Sequence, residues 1–85
     1  MRRDFQPENL ADCILLELRA ARERVPLTQL QAAEKVGASA ATVSRWESGE
    51  APLSLNAALF LAELYGVPAR TLLENALRRW EALLG

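Results

Sequence analysis

The chain contains no histidine and one cysteine, Cys13. Without histidine it has no side chain that titrates near neutral pH in its ordinary state, and no imidazole to ligate a metal. A lone cysteine excludes an internal disulfide and fits a reducing cytoplasm. Cys13 falls on the apolar side of a helical pattern, which predicts a buried structural thiol. No cysteine cluster or carboxylate pair offers a metal site, and no glycine-rich loop is present to cradle a phosphate. Catalysis is therefore not expected, and neither is a cofactor. No run approaches the roughly 18 apolar residues of a membrane span. The start, MRRDFQPENL, lacks the apolar stretch of a signal peptide. Charge of one sign is also missing. The net charge is −1, whereas a nucleic-acid-binding domain is usually basic.

What is present is hydrophobic content, 51% in 85 residues. That is rich for a small soluble domain and can serve a subunit interface as well as a core. The whole chain, 1–85, reads as one domain of five helices and no strand. Pro7 and Glu8 open the first helix, with Leu10, Cys13, Ile14, Leu18 and Ala21 as its inner stripe. Pro26 ends it near Arg24. Thr28 and Gln31 form a capping box for the second, which runs to Val36 and stops at Gly37. Ser39 caps the third, which ends at Gly49. Ser54 caps the fourth, and Gly66 stops it. The fifth starts at Pro68 and continues to about Leu84.

Within QLQAAEKVGASAATVSRW, four residues have a telling separation: Ala33, Gly37, Val43 and Trp46. Two short helices that cross closely need a small residue at the contact. The turn between them needs a residue that accepts a left-handed backbone. The second helix must bury a stripe at i and i+3. This is the spacing of a helix-turn-helix, whose second helix usually lies in the DNA major groove. If Val43 and Trp46 point inward, that helix exposes Ala40, Ala41, Ser44, Arg45 and Ser48, with Thr42 beside them. Arg45 is the only long donor among these and suits guanine O6 and N7. Ala40, Ala41 and the Thr42 methyl suit thymine methyls, and Ser44 is a short donor at the same face. Ser39 and Ser48 suit phosphate or water-mediated contact.

Residues 18–73 resemble the lambda-repressor-like, Cro/CI-type helix-turn-helix regulators, also called the xenobiotic-response-element family. The resemblance is carried by LRAAR, LTQLQAAEKVG, TVSRWESG and LSLNAALFLAELYGVPARTLL, in that order. It implies an all-α, five-helix domain with its helix-turn-helix at helices two and three. It implies that Gln29 contacts phosphate, and that Arg22 and Glu47 form a structural ion pair between helices one and three. The chain departs from the family at positions 40 and 41, where long polar side chains are common and both residues are alanine. It departs again at Glu50, where a basic residue is common.

Residues 74–84 extend the last helix. Its apolar stripe includes Leu73, Leu77, Trp80 and Leu84. It either folds back on helix one or forms a homodimer seam. The seam is the preferred expectation, because tryptophan is enriched at such surfaces. The expected function is a small bacterial or phage transcriptional regulator, a repressor that binds a pseudo-palindromic double-stranded DNA site as a homodimer. Arg2 and Arg3 are either a DNA-contacting arm or a solvated start. The acidic balance and the two alanines support a different class, a protein-interaction module of antitoxin or anti-activator type acting on a protein partner.

Overall fold

A computed structural model describes residues 7–85. Arg2 and Arg3 lie outside the described residues. The chain forms five helices: α1 (Leu10–Arg24), α2 (Gln29–Val36), α3 (Ala40–Ser48), α4 (Leu55–Leu64) and α5 (Ala69–Leu84). No strand occurs among the described residues, so the all-α reading holds.

Local chemistry sets most of the boundaries. Thr28 Oγ1 accepts the Gln31 N–H, and Gln31 Oε1 accepts the Thr28 N–H, completing the capping box. Ser39 and Ser54 each accept the N–H three residues on. Such caps satisfy amides that have no partner within the helix and are worth about 1 kcal/mol each. The first helix starts later than the sequence suggests. Asn9 caps it, its side chain accepting the Asp12 N–H, while Asp12 accepts the Glu8 N–H. These two bonds place Pro7 and Glu8 before the helix, not in it.

The core gathers Leu18 and Ala21 of α1, Ala32 of α2, Ala58, Leu61 and Ala62 of α4, Tyr65, and Leu72 of α5. Four of these eight are alanine. Small side chains let short helices approach closely, which is how a chain of this size excludes water with few large residues. In α1 the buried positions are Cys13, Leu15, Leu18 and Ala21. Leu10 and Ile14, expected inside, are only half-buried, and Leu15 takes the inner position. Cys13 is fully buried, and burial pushes its thiol pKa up.

The fifth helix folds back along α1. Leu72 and Ala76 are its buried residues, at 1% and 0% exposure. Arg79 adds a polar clamp, donating to Glu17 Oε2 from Nε at 3.0 Å and from Nη2 at 2.5 Å. No helix of the described residues is long and apolar enough to cross a membrane.

Candidate nucleic-acid interface

The turn between α2 and α3 is built from backbone need. Gly37 has φ +73°, and its N–H bonds back to the Ala33 carbonyl, as does that of Ala38 at 2.9 Å. A Cβ at Gly37 would meet nothing within 4 Å, so the requirement is the left-handed backbone and not space. Ala33 is fully buried and Val43 nearly so. Trp46 packs against the core but is only half-buried. Three of the four residues of the spacing thus act as expected, and the tryptophan closes the rim.

A buried polar cluster fixes α3 against α1 and α2. The Arg22 guanidinium meets the Glu47 carboxylate with two hydrogen bonds, Nε to Oε2 at 2.6 Å and Nη2 to Oε1 at 3.1 Å. Arg22 Nη1 also donates to the Leu27 carbonyl at 2.7 Å. Gln29 Nε2 donates to Glu47 Oε1 at 3.0 Å. One carboxylate therefore ties together three helices, a geometry in which a buried charge is fully compensated. The hydrogen bond to Glu47 raises the Arg22 pKa further. Burial, and then the Glu47 charge, pushes Tyr65 up to about 12.

The outward face of α3 carries Arg45 and Ala41, both exposed, with Ala40, Thr42 and Ser44 half-buried beside them. Arg45 forms no side-chain hydrogen bond or ion pair with another described residue. Two of the expected phosphate contacts are placed differently. Ser48 is 1% exposed, not on the outer face, and its hydroxyl donates to the Arg45 carbonyl at 3.2 Å. The reason is the helix end. The N–H groups of Glu50 and Ala51 also return to that carbonyl, so the chain folds back on the last turn. Gln29 keeps its position in the first turn of α2, but its side-chain amide is engaged by Glu47. Ser39 is exposed, with its hydroxyl held by the Thr42 N–H and 2.9 Å from Thr42 Oγ1. Glu50 is exposed just beyond α3.

On α5, Leu73, Leu77 and Leu84 are exposed, and Trp80 is half-buried. The fold-back onto α1 therefore consumes one side of the helix and leaves a leucine stripe on the other. Sequence reasoning missed three contributors: the Gln29–Glu47 bond, the Arg79–Glu17 clamp and Leu15. The clamp joins residues 62 apart, a separation that leaves no periodic signal.

A family model described as a helix-turn-helix domain matches residues 15–76. Neither the curated proteins nor the solved structures yield a match.

Proposed function

The chain belongs to the helix-turn-helix domain family, and on that footing we propose that it is a sequence-specific DNA-binding transcriptional regulator of the lambda-repressor-like, Cro/CI type. The observation that carries this reading is Arg45. It is exposed on the outer face of α3 and has no partner among the described residues. The helix that bears it is held at both ends, by the Gly37 turn and by the Arg22–Glu47–Gln29 cluster. A fixed helix with one unengaged fork donor is suited to major-groove readout. The first turn of α2 would lie against the phosphate backbone, where helix N-termini favour an anionic oxygen. Gln29 would serve there by fixing that turn to α3.

The proposed active form is a homodimer joined along α5 through Leu73, Leu77, Trp80 and Leu84. Their 4-3-4 spacing is that of a helix–helix seam. Two subunits would double the phosphate contacts, which a chain of net charge −1 needs. The proposed role is repression at a pseudo-palindromic site, with half-sites roughly 34 Å apart.

Selection of binding sites from random duplex DNA with the purified chain tests this. A recovered palindrome, bound with steep salt dependence, is the expected result. Arg45→Ala is then expected to weaken the recovered site by about 1–3 kcal/mol with the helical content unchanged. Salt-independent or absent binding would instead favour the protein-interaction module.

A further inference from the structure

The first turn of α3 carries a single polar side chain, Thr42, and the fold engages its hydroxyl with the cap residue. Thr42 Oγ1 sits 2.9 Å from Ser39 Oγ, and Ser39 Oγ also accepts the Thr42 N–H at 3.1 Å. Ser39 Oγ caps the helix, and the Thr42 hydroxyl is hydrogen-bonded to it. With its hydroxyl held there, Thr42 offers a duplex its γ-methyl. Its neighbours Ala40 and Ala41 offer methyl groups as well. Arg45 lies four residues beyond Ala41, about 6 Å along the helix, and its fork donors are unengaged by the described residues.

From this arrangement we infer that each half-site is read by one hydrogen-bonded guanine and a neighbouring patch of thymine methyls. The inference rests on the DNA-reading function proposed above and specifies its target. In the major groove only thymine presents a methyl group, while guanine presents the two acceptors that match an arginine fork. Residues at the start of a recognition helix meet base edges. The three methyl-bearing residues there can select thymine by burial, and the two alanine side chains offer neither donor nor acceptor to the other bases. At about 3.4 Å per base pair, the spacing to Arg45 puts the guanine within about two to three base pairs of the thymines. Discrimination at the steps met by Ala40, Ala41 and Thr42 then comes from apolar contact.

The test uses the full chain and two random duplex libraries, one with thymine and one with deoxyuridine in its place. The thymine library is expected to yield a half-site with one fixed guanine and adjacent thymines. Replacing those thymines by deoxyuridine in the recovered duplex is expected to weaken binding by about three- to fivefold per buried methyl. Ala41→Gln is expected to shift the preference at one step from thymine toward adenine, with helical content and guanine preference retained. Equal affinity for the thymine and deoxyuridine forms overturns the methyl readout while leaving DNA reading intact. Enrichment from neither library overturns DNA reading itself, and this inference with it.

Discussion

Glu47 is the residue on which the most structure converges. It is 6% exposed and accepts hydrogen bonds from Arg22 and Gln29. Arg22→Ala would leave that carboxylate with the Gln29 amide alone. We expect a loss of about 3 kcal/mol in urea unfolding, because a buried charge stripped of its partner is not compensated. Replacing both Arg22 and Glu47 by apolar residues of similar volume should cost much less, and equal losses for single and double variants would contradict this account. Tyr65 gives a second expectation. It is the sole tyrosine, 3% exposed, with its pKa raised to about 12. Raising an acid's pKa on folding means that the folded state resists deprotonation. Its contribution is intact below pH 10 and is lost as pH climbs toward 12, on the order of 2–3 kcal/mol. Tyrosinate absorbance should rise near pH 12 in the native protein and near pH 10 in urea. A native midpoint near 10 with full helical signal would refute the burial effect. The pairing of Arg22 with Glu47 was legible from the family resemblance. The third partner, Gln29, was not, because a polar residue in a first helical turn reads as outward-facing by default.

At the scale of elements, the helix-turn-helix depends on a left-handed backbone at Gly37. Since a Cβ there meets nothing, Gly37→Ala should cost only the backbone penalty, about 1–2 kcal/mol. That corresponds to roughly 4–16 °C in the thermal midpoint of a domain this size. Gly37→Asn should cost less, and an unchanged midpoint for Gly37→Ala would show that the turn can relax. Helix starts and stops were almost all legible, because a cap is chemistry between residues three apart. The exception, α1, starts at Leu10 because Asn9 caps the Asp12 N–H while the Asp12 carboxylate holds the Glu8 N–H ahead of the helix. The burial of Ser48 was not legible. Helical spacing alone puts it with Ala41 and Arg45, and the backbone fold-back after Gly49 overrides that spacing.

The whole molecule has a radius of gyration of 12.0 Å, matching the roughly 12 Å expected of a compact chain this long. The last helix therefore belongs to the body of the domain. It packs on α1 through Leu72, Ala76 and the Arg79–Glu17 clamp, and still exposes Leu73, Leu77 and Leu84. Folding back uses one side of this helix, and the proposed seam, which the sequence set against it, would use the other. Leu77→Asp should leave the fold intact and shift sedimentation from dimer to monomer, since Leu77 is 43% exposed. Trp80→Ala should act in the same direction. Dimeric sedimentation of both variants would remove α5 from the interface. The sequence by itself determined five helices, their caps, the left-handed turn and the helix-turn-helix family, because these follow from short-range spacing and backbone chemistry. Only the tertiary structure decided which side of α5 stays open, that Gln29 serves Glu47, and that Ser48 is withdrawn from the outer face of α3. Those outcomes depend on contacts between residues far apart in the chain, or on a chain reversal that helical periodicity does not encode.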